Sequence, residues 1–168
     1  MTAPTPLVVV SADQLRTASP QQVSDALNQL PMFKGSSSPS NGTGSSSRDN
    51  GGSFLNLRGL GKERTLVLID GRRMVAATSG GATDISLIPQ DLIRSVDIVT
   101  GGASAAYGSD AVAGVVNFRL DTKFKGVRLN VQKGLSKYAD AATPRAALTG
   151  GASFGGGGHI VASLEYYQ

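Results

Sequence analysis

The sequence predicts an α+β protein in which a small mixed α/β domain, residues 1–122, is followed by antiparallel strands over residues 123–168. Two observations lead to this fold class. Up to about residue 121, apolar runs, a helical pattern and glycine turns are interleaved, which is typical of mixed α/β folds. From residue 126 onward, three segments alternate strictly between apolar and polar residues, which is typical of strands with two different faces.

Composition narrows the function classes before any motif is considered. The chain has 168 residues, with sixteen Lys and Arg against twelve Asp and Glu, and a net charge of +4. The basic residues are scattered, whereas a nucleic-acid surface needs them concentrated, so no nucleic-acid partner is expected. Without cysteine there are no disulfides and no thiolate metal sites. No apolar run suits a transmembrane helix, and the first fifteen residues do not form a signal peptide.

Apolar periodicity and helix-terminus signals place the elements of the first domain. Strands are predicted at residues 7–10 (LVVV), at 66–69 before the turn pair Asp70-Gly71, and over "SVDIVT". The alternating "FLNLRGL" is also typical of a strand. A helix is predicted over "SPQQVSDALNQL", ended by Pro31, and a short one over "PQDLIR".

Residues 35–53 form a serine-glycine segment. Eight of its nineteen positions are Ser and five are Gly, a composition that cannot build a core. We interpret it as a loop inside one domain. A linker between two domains is the weaker alternative, because the residues before it are too few to fold alone.

The stretch "TGGASAAYGSDAVAGVVNF", residues 100–118, consists mostly of small residues. Gly101-Gly102 predicts a sharp turn, and "ASAAYG" fits one helical turn that Gly108 ends. Gly114 permits a close backbone approach in the returning strand. The loop itself has no basic residue for a phosphate, so a structural role is expected. The structural positions of the first domain are Gly59, Asp70, Gly71, Gly101, Gly102, Tyr107, Gly108, Gly114 and Asn117.

The sequence gives no positive case for catalysis. "GASFG" matches the G-x-S-x-G pattern at Ser153, but a nucleophile elbow requires a strand, a turn and then a helix. Here glycines and another strand follow, and the only histidine, His159, lies too close along the chain. A hydrolase using these two residues is therefore the weakest hypothesis. No cluster has metal-ligand spacing, and neither a metal nor a cofactor is expected.

The three alternating segments are "GVRLNVQ", "RAALTGGASF" and "HIVASLEYY". Each predicts a strand of about ten residues, which is the length a tilted strand needs to cross a bilayer. A soluble meander with one wet face gives the same alternation. The residues alone leave both alternatives open.

Three motifs occur in a recognisable order: "LNLRGLG", "TLVLIDGRRM" and "IPQDLIRSVDIVTGGASAAYGSDAVAGVVNF". Together they closely resemble the plug domain of TonB-dependent outer-membrane receptors, over residues 7 to about 120. The remaining residues resemble the first strands of the 22-stranded transmembrane barrel of that family. The resemblance favours membrane strands over a soluble meander.

The resemblance implies a function and a location. In this family the plug blocks the lumen of a barrel in the outer membrane of Gram-negative bacteria, and the barrel faces lipid. Substrates such as ferric siderophores or saccharides bind on the outer side. The energised protein TonB then pulls on the segment before the plug to open a path. No covalent chemistry is involved.

The resemblance also implies residue roles. Arg58 matches an arginine that pairs with glutamates of the barrel wall, and Asp97 matches an acidic member of the same plug–barrel contact. Thr100 stands where the family commonly has a second arginine, so this charge lock is partial. The outward loops correspond to residues 36–52, 60–64 and 76–84. Their best candidates for substrate contact are Arg48, Asn50, Lys62, Glu63, Ser79 and Thr83.

The segment that binds TonB is expected upstream of residue 7, because "MTAPTP" offers no convincing copy of it. We therefore expect this chain to be a fragment of a longer receptor. The alternative is a free-standing plug-like periplasmic module that binds or signals without transport.

Overall fold

The computed structural model describes residues 6–18, 22–39, 51–101, 103–135 and 142–167. The chain forms two compact units. The first contains Met1–Ile88 and Arg94–Arg119, and the second contains Pro89–Ile93 and Leu120–Gln168. The domain boundary at residue 122 stays a prediction, but the structure adds that residues 89–93 group with the later strands.

A five-stranded sheet in the order β1-β4-β5-β2-β3 organises the first half of the chain. Its strands are β1 (Leu7–Ser11), β2 (Thr65–Ile69), β3 (Arg72–Arg73), β4 (Ile93–Val99) and β5 (Gly114–Leu120). The helices are α1 (Ala12–Ala18), α2 (Val23–Asn28) and α3 (Ser104–Tyr107). Short 3₁₀ turns lie at Pro31–Phe33, Leu57–Gly59, Lys62–Arg64, Ile85–Leu87, Gln90–Leu92 and Ser109–Ala111. No helix in these described ranges has the length and apolar character to cross a membrane.

The core of the sheet lies at β2 and β5, which pair in parallel from Thr65–Gly114 to Ile69–Phe118. Parallel strands are covered on both faces, and this explains why their apolar residues run almost continuously instead of alternating. Leu66, Leu68 and Val115 are all buried. At one edge of the sheet, β1 pairs antiparallel with β4 and exposes most of its side chains.

Three predicted elements of the first half need correction. The helix predicted over "SPQQVSDALNQL" is shorter, since α2 covers only Val23–Asn28, and an additional helix, α1, precedes it. Ser11 accepts a hydrogen bond from the Gln14 amide at the start of α1. "FLNLRGL" is not a strand, because Leu57–Gly59 forms a 3₁₀ turn. "PQDLIR" contains only one 3₁₀ turn, since β4 already begins at Ile93.

The second unit contains the three predicted strands, which pair antiparallel in the order β6-β7-β8. They are β6 (Gly126–Leu135), β7 (Ala142–Phe154) and β8 (Gly158–Tyr167). In the register, Leu129 lies opposite Leu148, which lies opposite Leu164, so the apolar positions share one face. The predicted fold class, a mixed α/β domain followed by antiparallel strands, is confirmed.

Candidate functional site

The "LRG" motif is a tight turn held by polar side chains on both sides. The amide of Leu57 donates to Thr65 Oγ1 at 3.1 Å, and the amide of Gly61 donates to Asn56 Oδ1 at 2.8 Å. Arg58 has a left-handed backbone with φ of 56°, which is uncommon for a residue with a side chain. Its guanidinium is exposed and donates from Nη2 to the carbonyl of Ala113 at 3.1 Å. Pairing of Arg58 with barrel glutamates stays a prediction.

Asp97, the other residue assigned to the plug–barrel contact, has an ion-pair partner within the first unit. Its carboxylate accepts from Arg119 Nε at 2.5 Å. Arg119 lies on β5, which neighbours β4 in the sheet. The structure therefore gives Asp97 a role in fastening two adjacent strands, and its contact with a barrel wall stays a prediction.

The described parts of the three predicted outward loops lie next to one another. Phe54 forms bridges with both Ser37 and Asp84. The Asp84 carboxylate accepts from the amide of Ser53 at 3.0 Å. A Cβ added at Gly80 would lie 3.3 Å from Glu63 Cγ, so loop 76–84 packs against loop 60–64. Segments distant in sequence thus form one polar surface.

The predicted substrate-contact residues differ in their accessibility on this surface. Glu63 and Ser79 are exposed, and the ammonium of Lys62 lies 4.8 Å from the centroid of the Phe54 ring. Thr83 is only 9% exposed, so it offers little surface to a ligand. Arg48 and Asn50 lie outside the described residues. Substrate contact at all six positions stays a prediction.

The two ends of the serine-glycine segment are buried and hydrogen-bonded, which its composition does not predict. Ser36, Ser38 and Ser53 are buried. Ser38 donates to the Asp25 carboxylate at 2.6 Å, and Ser36 Oγ accepts from the amide of Asn56 at 2.8 Å. These serines therefore belong to the core of the first unit, which corrects the expectation that no part of the segment would.

The predicted structural residues Asp70 and Gly71 form the turn between β2 and β3. Both have positive φ, and the amide of Gly71 donates to Asn117 Oδ1 at 2.9 Å. Gly108 ends α3 with φ of 87°, as predicted. A Cβ at Gly114 would lie 2.3 Å from the carbonyl oxygen of Val99, so the predicted close backbone approach is present. Gly59 is the last residue of the turn Leu57–Gly59, and Tyr107 is the last residue of α3. Gly101 lies just after β4, and Gly102 lies outside the described residues.

The small-residue stretch, which has no basic residue of its own, receives one from the preceding hairpin. Arg73 donates to the Asp110 carboxylate at 2.6 Å and also to the carbonyl of Tyr107. The hydrogen bond from Arg73, with a second from Ser109, lowers the pKa of Asp110 below its ordinary value. The arginine thereby balances an acidic residue of this chain, which agrees with the structural role expected for the stretch.

The three-stranded sheet of the second unit has an inverted burial pattern. Val127, Leu129 and Leu164 are 78%, 69% and 73% exposed. On the opposite face Arg145 is 5% exposed and Thr149 is fully buried. A water-soluble sheet covers its apolar face and wets its polar face, so these strands have the opposite arrangement.

A buried charge cluster on the polar face was not predicted. It consists of Asp91, Arg128, Asn130, Arg145 and Glu165, which we call the Asp91 cluster. Its members come from the turn Gln90–Leu92 and from all three strands. Within the described residues, no group of His, Asp and Glu has the arrangement of a metal site.

Ser153 and His159 meet in the structure although they were considered too close along the chain. They are cross-strand partners near the end of the β7–β8 hairpin, and Ser153 Oγ lies 3.1 Å from His159 Nδ1. His159 Nε2 lies 2.9 Å from the carbonyl of Phe124, which can only accept, so in the neutral imidazole Nε2 donates to it and Nδ1 accepts a hydrogen bond from Ser153 Oγ. The context is a hairpin, without the strand–turn–helix of a nucleophile elbow.

Solved structures of several receptors resemble this chain. The siderophore receptor PirA from Pseudomonas aeruginosa is 25% identical with a TM-score of 0.58, over 89% of this chain and 25% of that one. PirA from Acinetobacter baumannii is 18% identical with a TM-score of 0.67, over 96% and 24%. The ferric yersiniabactin uptake receptor FyuA from Yersinia pestis is 21% identical with a TM-score of 0.55, over 87% and 21%. The last two show the fold alone, and this chain spans a quarter or less of each receptor.

The family comparison agrees with the motifs and with the fold. The family model described as the TonB-dependent receptor plug domain matches residues 1–115. The match includes the "LRG" turn, the Asp70-Gly71 hairpin and the small-residue stretch as far as the first residues of β5. The resemblance inferred from the sequence is therefore confirmed. The chain belongs to the TonB-dependent receptor plug domain family.

Proposed function

We propose that this chain is the plug, together with the first barrel strands, of an outer-membrane transporter that takes up a ferric siderophore with energy from TonB. The observation that carries the proposal is the inverted burial of β6–β8. Leu129 and Leu164 are exposed while Arg145 is buried. A strand face of this kind is stable against lipid and unfavourable in water.

The dimensions of the strands support the membrane assignment. β6 and β8 have ten residues each and β7 has thirteen. A tilted strand needs about 9–11 residues to cross the hydrocarbon layer. In the proposal these strands begin a 22-stranded barrel in the bacterial outer membrane, with the apolar face towards lipid and the polar face towards the lumen.

The arrangement of β1 supports a gate that TonB opens. β1 lies at the edge of the sheet, pairs with β4 from Leu7–Val99 to Ser11–Ser95, and buries only Val10. An edge strand with few buried side chains detaches at lower cost than a central strand. A pull from a segment upstream of residue 7 would therefore act first on β1, and the plug would rearrange from there.

The substrate is proposed from the neighbours and from the surface of the predicted outward loops. PirA from Pseudomonas aeruginosa is described as a siderophore receptor. In this chain Lys62, Glu63 and Ser79 lie on the polar surface that those loops form. An ammonium group and polar side chains suit an oxygen-rich, anionic chelate.

Uptake of radioactive iron tests the transport proposal. Cells that produce the intact protein are given ⁵⁹Fe loaded on defined siderophores, with and without TonB. We expect uptake that disappears when TonB is absent. Uptake of a labelled oligosaccharide in place of every ferric siderophore would replace the proposed substrate class.

Deletion of the plug tests the gate. Removal of residues 6–121 from the intact protein should leave an open pore and sensitise cells to a large antibiotic that the intact protein excludes. Unchanged sensitivity, with the deleted protein present in the outer membrane, would contradict a lumen-blocking plug. Recovery of the intact protein from the soluble periplasm would instead support the free-standing binding or signalling module.

A further inference from the structure

Asp91 is held by all of its polar groups. Its amide donates to Glu165 Oε1 at 3.1 Å, and its carbonyl accepts from Arg128 Nη1 at 3.2 Å. Its carboxylate Oδ1 accepts from Asn130 Nδ2 at 3.3 Å and lies 3.9 Å from Arg145 Nη2. The four partners come from β6, β7 and β8. The polar face of the strands therefore recognises one residue through both its backbone and its side chain.

The charges of the Asp91 cluster balance in a buried place. Asp91 and Arg145 have side chains that are 2% and 5% exposed, and Arg145 Nη2 also lies 3.3 Å from Glu165 Oε2. Arg145 lies between the carboxylates of Asp91 and Glu165, and Arg128 adds a second positive charge at the Asp91 carbonyl. A buried ion cluster contributes strongly to orientation, while its net stabilisation is limited by the desolvation of its charges.

The attachment of the turn Gln90–Leu92 is separate from the pairing of the strands. The backbone ladder of β6 and β7 runs from Gly126–Gly151 to Leu135–Ala142 without using the turn. Besides the Asp91 cluster, the turn is fastened by the amide of Asp121, which donates to the carbonyl of Leu92 at 2.7 Å. The polar contacts of the turn can be exchanged for water without loss of any ladder hydrogen bond.

We propose that the Asp91 cluster is a latch that fastens the turn Gln90–Leu92 to the polar face of β6–β8. When the Asp91 carboxylate is released, the turn leaves the strands while the strands stay paired. The latch places the anion on the segment within the plug match and the cations on the strands. In the contact implied for Arg58 the positive charge lies on the plug and the negative charges lie on the barrel wall. The Asp91 cluster has the reverse arrangement and consists of different residues. The inference rests on contacts inside the second unit and does not depend on the transport proposal.

Hydrogen–deuterium exchange of the intact protein, read by mass spectrometry, tests the latch with Asp91→Asn. This nearly isosteric change removes the charge and leaves Arg128 and Arg145 with one carboxylate. We expect the amides of residues 90–93 to exchange about tenfold faster, while peptides 126–132 and 158–166 are unchanged. Unchanged exchange in 90–93 would overturn the proposal. Equal acceleration in the strands would also overturn it, because the cluster would then only be part of sheet stability.

Two further variants separate the latch from a general loss of charge. Asp97→Asn is the matched control, since Asp97 pairs with Arg119 in the first unit and should leave exchange in 90–93 unchanged. Asn130→Ala is the milder variant and removes one hydrogen bond from an uncharged donor to the Asp91 carboxylate. It should accelerate 90–93 about two- to fivefold even if Asp91→Asn does not fold. If Asn130→Ala folds and does not accelerate hydrogen exchange in the turn Gln90–Leu92, the latch proposal is wrong.

Discussion

Leu68 on β2 and Leu129 on β6 belong to strands of the same chain, yet one is 3% exposed and the other 69%. In the first unit the central strands β2 and β5 bury their apolar residues, and charged pairs such as Arg73–Asp110 are exposed. In the second unit the strands expose their apolar residues and bury the Asp91 cluster. The same side-chain chemistry is therefore distributed in opposite directions.

This difference shows that alternation along a strand identifies two faces but not which face is wet. Burial of apolar area stabilises a sheet in water by about 25 cal/mol per Å², and this term favours the arrangement of the first unit. This burial term vanishes for a face that contacts hydrocarbon. The polar groups of such a strand lie on its other face, and where they are buried they must pair with one another. The Asp91 cluster satisfies that requirement on the polar face of β6–β8.

The largest expected effect is on the close packing of the first unit. Gly114→Ala introduces a Cβ only 2.3 Å from the carbonyl oxygen of Val99, at a φ of 139°. Backbone strain and overpacking together should lower the free energy of unfolding by about 2–6 kcal/mol. The measurement is the unfolding midpoint of the purified protein.

Gly81→Ala is the matched control for the packing contribution. Gly81 also has a positive φ, of 92°, but nothing lies within 4 Å of an added Cβ. Only the backbone strain remains, so a loss of about 1–2 kcal/mol is expected. Equal losses for the two variants would show that the contact of β5 with Val99 is not tightly packed.

The next effect compares the two leucines directly. Leu68→Ala leaves a cavity in the core and should cost about 2–5 kcal/mol. Because detergent covers the Leu129 side chain and fills the space it leaves, Leu129→Ala creates no cavity and should lose only the transfer free energy of the removed carbons, about 1–2 kcal/mol. Chemical denaturation of both variants in the same detergent measures the difference. A large loss with Leu129→Ala would mean that protein covers the apolar face of β6–β8.

Placing a charge on the exposed apolar face tests what that face contacts. Leu129→Arg should destabilise the protein in lipid vesicles by about 2–4 kcal/mol if the position lies near the bilayer centre. Val75→Arg is the control, because Val75 is exposed in the first unit and should change stability by less than about 0.5 kcal/mol. If both variants are equally harmless, the face is in water and the membrane assignment fails.

Local pattern predicted the strands well. The alternation in "GVRLNVQ" and in its two partners determines which residues share a face, so β6–β8 and their faces could be predicted. The continuous apolar run of β2 predicted a strand, and the structure shows that this strand is covered on both faces. "FLNLRGL" was wrongly predicted as a strand because Arg58 takes a left-handed backbone, which no periodicity reveals. Hydrogen bonds that the side chains of Asn56 and Thr65 accept stabilise this turn.

The Asp91 cluster and the hairpin contact could not be predicted from pattern. Asp91 is 37 residues from Arg128 and 74 from Glu165, and each polar residue alone is typical of a wetted strand face. Their association depends on strand register and on the place where the turn returns. The contact between Ser153 and His159 was not predicted because the two residues are close along the chain, whereas they meet across the β7–β8 hairpin. The outward-loop residues came from the family resemblance, and the burial of Thr83 depends on tertiary packing.

The smallest effect concerns the exposed charge pair that contrasts with the Asp91 cluster. The Arg73 guanidinium holds the pKa of Asp110 below its ordinary value, with both side chains about half exposed. Arg73→Ala should raise this pKa towards the ordinary value, as measured by NMR titration of the labelled carboxyl carbon. Because the folded pKa is lowered, the pair stabilises the protein above the pKa of the unfolded chain, and this contribution disappears as pH falls through the folded pKa. Exposure and salt keep the contribution small, so the titration should shift while the unfolding midpoint at neutral pH changes little. A large loss of stability at neutral pH would show that Arg73 acts mainly through its hydrogen bond to the Tyr107 carbonyl, and that the first unit also depends on a specific polar fastening.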